Sequence, residues 1–305
     1  MTTSTLTGIA PAADLARTRG RTRQSSRRGT RRTGSRGAWL LRLALAIVAS
    51  AIVFFPLYWM LVIAFSPRGE VFAPGAPRFW PSEITLENFV SVFDRFPVAE
   101  WFVNSLVIGA FVTAFTVVLN LLAGYAFARL EFPGRNLLFL LALATLMIPV
   151  QAIMVAQFKL VTGLEIYGTY WSVILPGAAA AFGIFLARQF FLSIPQELIE
   201  AARMDGAGHV RVFLQIVLPL SKPLIAVLAL LTLLGSWNDF AWPLIALKDN
   251  ELFTLPIGLL YLKGQSTPDY SASMALALIS VLPMVVLFLV FQRYFVQGFA
   301  RSGIR

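Results

Sequence analysis

The sequence predicts an all-α membrane protein with six transmembrane helices. Of its 305 residues, 58% are hydrophobic and only 13% are charged, and the mean hydropathy is +0.75. A helix needs roughly 20 predominantly apolar residues to cross about 30 Å of hydrocarbon, and six stretches of the chain meet or approach this length. One longer polar stretch, residues 193 to 223, lies between the fourth and fifth of them. These features exclude an ordinary soluble domain.

Residues 38 to 305 are expected to form a single transmembrane domain. The predicted spans are 43–65, 103–127, 136–155, 171–190, 223–246 and 272–295. Five of them contain proline, which is typical of bendable pore helices but is also common in membrane helices generally. Before the second span, the segment ITLENFVSVF predicts a short helix at the outer surface, and Trp101 predicts an anchor at the membrane interface.

Residues 1 to 37 are rich in Arg, Ser, Thr and Gly and offer almost nothing to bury, so they predict a disordered basic tail. Such a tail could attach to anionic lipids or contact RNA, but a solvated tail that fixes topology is favoured. The pairs Arg27-Arg28 and Arg31-Arg32 also suggest an export signal. Against that signal, the apolar segment that follows is about twice the usual signal length.

Basic residues predict that both termini are cytoplasmic. With six spans and an internal N-terminus, most of the 25 Lys and Arg residues fall in the inner segments, and an excess remains when the tail is discounted. Residues 193 to 223 then lie on the cytoplasmic side.

The polar stretch itself predicts a helix, a turn and a second helix. Pro195 suits a first helical turn, residues 196 to 204 contain no breaker, and Gly206 can adopt the left-handed conformation that ends a helix. A second helix is expected from His209 to Leu218, with Pro219 ending it. Its apolar face is predicted to contain Val210, Phe213 and Val217. Physically the stretch could anchor to lipid, connect two spans or dock a soluble partner.

Several kinds of chemistry are excluded by composition. The chain has no cysteine and a single histidine, His209, so thiol catalysis, a histidine-based triad and a Cys or His metal cluster are not expected. No G-x-x-x-x-G-K-[ST] segment occurs, so ATP would have to be bound by another chain. We therefore expect no enzyme, no metal site and no cofactor in this chain.

The fifth span carries an acid within the membrane, in the run WNDFAWP from Trp237 to Pro243. A carboxylate there costs about 2.5 to 3.5 kcal/mol on insertion scales, so Asp239 is expected to face a cavity or a partner. In one interpretation Asn238 and Asp239 bind sugar hydroxyls while Trp237 or Trp242 stacks on a sugar ring. In the other, the polar pair serves only the backbone that Pro243 leaves unbonded.

The polar stretch also resembles the EAA loop of ABC importer permeases. Glu200-Ala201-Ala202 are followed after three residues by Gly206, and after nine more by Ile216, Leu218 and Pro219. The resemblance implies a type I ABC permease fold, with the loop between helices 4 and 5 docking on an ATPase subunit. The residues implied in ATPase coupling are Glu200, Ala201, Ala202, Asp205, Gly206, Ile216, Leu218 and Pro219.

The W-N-D-F-x-W-P-L run and the C-terminal Gln292–Phe299 segment are similar to those of the MalG-like carbohydrate ABC permeases. This resemblance implies a sugar importer in a bacterial or archaeal inner membrane, with Trp237, Asn238, Asp239 and Trp242 on the substrate pathway. The implied partners are a MalF-like second permease, an ATPase dimer that binds ATP and Mg²⁺, and an extracytoplasmic solute-binding protein. The lipid bilayer is also a partner, and nucleic acid is not.

Two alternatives remain open at this stage. An ABC permease for peptides or phosphate esters would be expected to carry basic residues in its spans, where this chain has an acid. A secondary transporter would need an ion-coupling site, for which Asp239 is the one candidate acid.

Overall fold

The computed structural model describes residues 36–70, 73, 75, 79–264 and 269–302, with side chains from Gly37 to Val290 within these ranges. The predicted tail up to residue 35 therefore lies outside the described residues, as do the side chains of the C-terminal motif. The chain divides into two compact units, Met1–Val53 and Phe54–Arg305. The described part of the first unit is the beginning of one helix, and the remaining helices belong to the second.

Three helices are long, apolar and continuous. By length and composition, three described segments could each cross a membrane alone: Gly37–Phe65, Val98–Arg129 and Tyr270–Val290. The corresponding helices are α1 (Arg36–Phe65), α3 (Val98–Arg129) and α14 (Tyr270–Ser302), with the short helix α2 (Glu87–Arg95) between the first two. Pro56 and Pro283 lie inside α1 and α14 without interrupting them. The short helix predicted before the second span is thus confirmed as α2.

Other apolar segments are bent. The helix pairs are Arg135–Met147 with Val150–Gly163 (106°), Trp171–Gly177 with Ala181–Leu192 (40°), and His209–Leu220 with Lys222–Asn238 (76°). The described residues thus contain up to six spans if each bent pair counts as one, and no strand occurs among them. The first bend falls at Pro149 and the second follows Pro176-Gly177, because proline removes a backbone donor and small residues tolerate the turn.

The helices between α3 and α14 are numbered in chain order. They are α4 (Arg135–Ala144), α5 (Val150–Gly163), α6 (Trp171–Gly177), α7 (Ala181–Leu192), α8 (Gln196–Met204), α9 (His209–Val212), α10 (Leu218–Leu220), α11 (Lys222–Asn238), α12 (Ala241–Ala246) and α13 (Leu255–Lys263). A π-helical turn, Phe213–Val217, joins α9 to α10.

Helix α3 packs most extensively against α7 and α11. Small residues allow this close approach: a Cβ added at Gly124 would collide with Ala187, and one added at Gly183 would collide with Asn120. Midway along α3, the Thr116 hydroxyl donates to the carbonyl of Gly177 at 2.8 Å, where the fourth predicted span is broken.

The first turns of α3 hold the loop that precedes α13. The Trp101 indole donates to the Asn250 carbonyl at 2.8 Å, and the Asn104 amide donates to the carbonyls of Glu251 and Phe253 at 2.6 and 2.9 Å. Trp101 has no exposed surface, so the prediction that it anchors the chain at the membrane interface is wrong. Its polar N–H is satisfied inside the protein rather than at the headgroups.

We expect Gly258→Ala to destabilise the protein, because a Cβ there would overlap the rigid ring of Trp101. Overpacking of this kind costs about 1 to 3 kcal/mol and should lower the melting temperature of the purified protein in detergent. Gly163→Ala is the matched control, since its Cβ would meet open space. Equal melting temperatures for the two variants would contradict this packing.

Candidate functional site

The polar stretch folds into two helical arms joined by a left-handed glycine. Helix α8 covers Gln196–Met204, as predicted, and Gly206 has a φ of +79°. The Ala207 N–H donates to the Ala202 carbonyl and the Gly206 N–H to the Arg203 carbonyl, each at 3.0 Å. This pair of bonds is a Schellman motif, which satisfies the last carbonyls of α8 and requires a residue that tolerates positive φ.

The second arm differs in detail from its prediction. Its helical residues continue through Pro219 to Leu220, and the chain then bends at Ser221, so Pro219 does not end the arm. The predicted apolar face is partly wrong: Phe213 and Val217 are buried, but Val210 is 71% exposed and Val212 is buried in its place. Val210 and Val212 both lie in α9, before the π-helical turn begins at Phe213, so the face that packs on the bundle starts at Val212 rather than at Val210.

The inward faces of both arms pack on the ends of α3 and α7. The buried cluster contains Leu121, Tyr125, Ala187, Phe191, Ile194, Ile199, Val212, Phe213, Val217, Leu224 and Leu228. Polar contacts support it: the Arg129 guanidinium donates to Gln196 Oε1, and the Tyr125 hydroxyl donates to the His209 carbonyl at 3.3 Å. The two arms are therefore fixed to the helical bundle through this one buried apolar cluster.

The outward face of this element carries most of the predicted coupling residues. Glu200, Ala201, Asp205, Gly206 and Pro219 are exposed, whereas the remaining three are half-buried. Those three are Ala202, Ile216 and Leu218, and Ala202 and Leu218 pack on the buried cluster.

Large apolar side chains accompany the acids on this surface. Met204 is 88% exposed and Val210 71%, and Leu214 and Leu198 are about half exposed, at 52% and 46%. Apolar side chains beside charged ones are typical of a surface that another protein covers.

A second feature is a cavity of about 570 Å³ between α5, α6, α11 and α12. Its lining comprises Val112, Val150, Gln151, Ile153, Met154, Gln157, Val173, Pro176, Gly177, Thr232, Gly235, Ser236, Asn238, Asp239, Ala241 and Trp242. Asp239 is the one charged residue in this set. The lining thus combines amides, hydroxyls and one carboxylate with apolar walls, a composition suited to a polar, uncharged ligand.

Asp239 lies at the break between α11 and α12. Its Oδ1 accepts hydrogen bonds from the N–H groups of Ala241 at 3.1 Å and Trp242 at 3.5 Å, so the carboxylate caps α12. Asn238 lies beside it, and its amide donates to the Leu234 carbonyl at 2.8 Å. Both side chains therefore bond to backbone groups, but these are the first N–H groups of α12 and the Leu234 carbonyl rather than the Asp239 carbonyl that Pro243 leaves without a donor. Both side chains also line the cavity.

The two predicted tryptophans have different environments. Trp242 lines the cavity, and its indole N–H donates to the Ser172 carbonyl at 2.9 Å. Trp237 is buried away from the cavity, where it donates to the Ser280 carbonyl at 3.0 Å and contacts the Phe102 ring edge to face. Trp242 can therefore offer a ring to a ligand in the cavity, and Trp237 cannot.

Two further amide side chains of the lining were absent from the predicted substrate pathway, Gln151 and Gln157 on α5. For Gln151 the available signal was a polar side chain inside the apolar predicted span 136–155, whereas Gln157 lies just beyond that span. Within the described ranges, no group of three or more His, Asp or Glu side chains is arranged to hold a metal ion.

Comparison with known proteins identifies the family. Residues 120–301 match the model of the binding-protein-dependent transport system inner membrane component family. The chain belongs to this family. The family consists of transporter permease subunits, so this permease is a transport component rather than an enzyme.

Individual relatives are also transport permeases, and a solved transporter structure shares the fold. The permease is 39% identical over 277 residues to the arabinooligosaccharides transport system permease protein AraQ of Halalkalibacterium halodurans, covering 90% of this chain and 99% of AraQ. It is 35% identical over 265 residues to the sn-glycerol-3-phosphate transport system permease protein UgpE of Escherichia coli, covering 84% and 94%. A chain of a bacterial ABC transporter that imports the acidic polysaccharide alginate matches its fold with a TM-score of 0.76, at 21% identity and 85% and 97% coverage.

We expect Asp239→Ala to weaken α12, because it removes the acceptor for two backbone N–H groups. The cost is about 1 kcal/mol, as for other lost N-caps, whereas Asp239→Asn keeps a capping oxygen and should change stability little. Hydrogen exchange of the Ala241 and Trp242 amides measures this directly. Equal protection in the two variants would show that the side chain does not cap α12.

Proposed function

We propose that this chain is the permease subunit of an ATP-driven ABC sugar importer and supplies half of its translocation pore. In this proposal the chain has six spans, both termini are cytoplasmic, and residues 193 to 223 form the EAA loop between the fourth and fifth spans. The basic tail of residues 1 to 37 is a cytoplasmic extension of the 38–305 permease domain. The observation that carries the proposal is the exposed Glu200–Gly206 face on an element otherwise fixed to the bundle.

The complete importer would contain a second, MalF-like permease, an ATPase dimer and an extracytoplasmic solute-binding protein. ATP and Mg²⁺ would be held by the ATPase, because this sequence has no P-loop. The exposed acids and apolar side chains around Gly206 would lie in the ATPase interface. Closure of the ATPase dimer would then move this element and switch the cavity between the two sides of the membrane.

A neutral sugar is the cargo that the cavity favours. Among the lining residues, Asp239 carries the sole formal charge, and no lysine or arginine accompanies it. An anionic cargo would meet a repelling carboxylate there, while hydroxyl groups find amide and carboxylate acceptors. AraQ is named for arabinooligosaccharides, which are neutral, whereas UgpE is named for a phosphate ester. The composition of the cavity supports a neutral cargo, like the one for which AraQ is named.

In this proposal, Asn238, Asp239 and Trp242 contact the sugar, joined by Gln151 and Gln157.

Asp239→Asn separates the sugar-contact role of Asp239 from its capping role, since the variant retains the cap. Loss of sugar uptake with unchanged stability supports contact with the cargo, and unchanged uptake opposes it. Membership of the binding-protein-dependent family argues against a self-contained secondary transporter with Asp239 as its ion-coupling site. Such a transporter would show uptake driven by a proton or sodium gradient in the absence of an ATPase.

We expect Glu200→Ala and Gly206→Ala to abolish ATP-driven uptake without preventing membrane insertion. The first removes the acid offered to the ATPase, and the second penalises the left-handed turn by roughly 1 kcal/mol, displacing one arm relative to the other. Uptake and ATPase activity are measured on the complete importer reconstituted in liposomes. Gly208→Ala is the matched control, because Gly208 has an ordinary φ of −71° and open space at its Cβ. Normal coupling in Glu200→Ala would refute the proposed role.

A further inference from the structure

Arg129, the last residue of α3, holds the end of α7 and the start of α8 together. One guanidinium nitrogen, Nη2, donates to the carbonyls of Phe191 and Ile194, and the other, Nη1, donates to Gln196 Oε1, all at 2.5 Å. Phe191 belongs to the last turn of α7, Ile194 to the connection, and Gln196 begins α8. A single cation thus bonds to three points along the path that leads into the polar element.

The chemistry of these bonds makes the contact specific. The Phe191 carbonyl lies at the negative end of the α7 helix dipole and already accepts a bond from the Ile194 N–H at 3.2 Å. A carbonyl oxygen has two lone pairs, so a guanidinium is a well-matched second donor. Its planar fork can serve several acceptors at once, which a lysine cannot do. Arg129 bonds here to carbonyl and amide oxygens rather than to a carboxylate, so its contacts form a clamp on backbone geometry.

A second contact from α3 reaches the other arm. One turn before Arg129, the Tyr125 hydroxyl donates to the His209 carbonyl at the start of α9. The Tyr125 ring also lies 4.9 Å from that of Phe213 and 6.2 Å from that of Phe191, measured between centroids. The last two turns of α3 therefore bind both arms, with the arginine on the first and the tyrosine on the second.

Helix α3 also contacts the cavity and, near its other end, the 251–253 loop. At 1.5 Å per residue its 32 residues span about 48 Å without a break. Val112 lines the cavity, Asn120 Oδ1 accepts from the Ala180 N–H at the break between α6 and α7, and Asn104 holds the 251–253 loop. A displacement of the last turn of α3 would consequently reach the cavity wall through one continuous helix.

We infer that Arg129 is a positioning residue that fastens α8 to α3, so that movement of the 193–223 element becomes movement of the cavity wall. The inference rests on the proposed role of that element in ATPase coupling. Beyond that role, it requires that α8 and the end of α3 move as one body. A merely structural arginine would stabilise the fold in all states and leave the coupling between sites unchanged.

The first test compares three variants in the complete importer reconstituted in nanodiscs. Arg129→Gln should lower the stimulation of ATPase activity by the binding protein about tenfold, a change within the usual range of coupling between two sites. The basal ATPase rate should stay near that of the unaltered complex. Arg129→Lys keeps the charge but lacks the planar fork, so its ATPase stimulation should lie between those of Arg129→Gln and the unaltered complex. Arg135→Gln is the matched control, because Arg135 donates to the Leu130 carbonyl at 3.0 Å within the turn between α3 and α4 and does not bridge to α7 or α8 among the described residues. Normal stimulation in Arg129→Gln overturns the inference.

The second test measures movement directly and does not depend on how well the glutamine variant assembles. Spin labels are placed at Leu122 on α3 and Glu197 on α8, which is straightforward because the chain has no native cysteine. With Arg129 present, the distance distribution should be the same without nucleotide and with ATP plus vanadate. A shift between these two states would refute the single-body claim. With Arg129→Lys, the distribution should broaden or shift on trapping, and an unchanged one opposes the inference.

Glu200→Ala separates this inference from the proposed function. Normal coupling in Glu200→Ala would refute the role of the element as a whole. Loss of coupling in Glu200→Ala together with normal coupling in Arg129→Gln would refute only the clamp.

Discussion

Hydrocarbon cannot hydrogen-bond to a peptide group, so every backbone group freed at a helix break in a membrane needs a partner inside the protein. Much of this structure follows from that constraint. Thr116 and Asn120 on α3 serve the break between α6 and α7, and Asp239 serves the break between α11 and α12. Arg129 serves the end of α7. These polar side chains are therefore fixed in position by their bonds to the backbone, and the groups they serve border the cavity and the 193–223 element.

The constraint also explains why the sequence predicted some features well and others poorly. Hydropathy and spacing located the apolar segments, the helix from Gln196 to Met204 and the left-handed Gly206, because each depends on local chemistry. The 106° bend at Pro149 was not predictable, since Pro56 and Pro283 leave their helices continuous. Trp101 and Trp237 were assigned to a membrane surface and a sugar site from residue type, yet their N–H groups bond to the distant carbonyls of Asn250 and Ser280. Such partners come from tertiary packing, which a single sequence does not encode locally.

Asp239 can both cap a helix and contact a ligand in the cavity. Asp239 caps α12 through Oδ1, which leaves the second carboxylate oxygen for other partners, and the residue lines the cavity beside Asn238. The capping role explains why an acid is tolerated within an apolar segment. The ligand role would use the same fixed geometry, since a capped carboxylate is already oriented and loses little freedom on binding.

In the proposed function, ATP-driven closure of the ATPase dimer moves the 193–223 element and opens the cavity to the opposite side. Gly235 is a suitable reporter because it lines the cavity and a Cβ there would meet open space. The decisive measurement is the reaction of Gly235→Cys, the single thiol of this chain, with a membrane-impermeant maleimide added from outside to the complete importer. Labelling is expected with ATP and vanadate, and protection is expected without nucleotide. Equal labelling in both states would refute the proposed switch of the cavity between the two sides of the membrane.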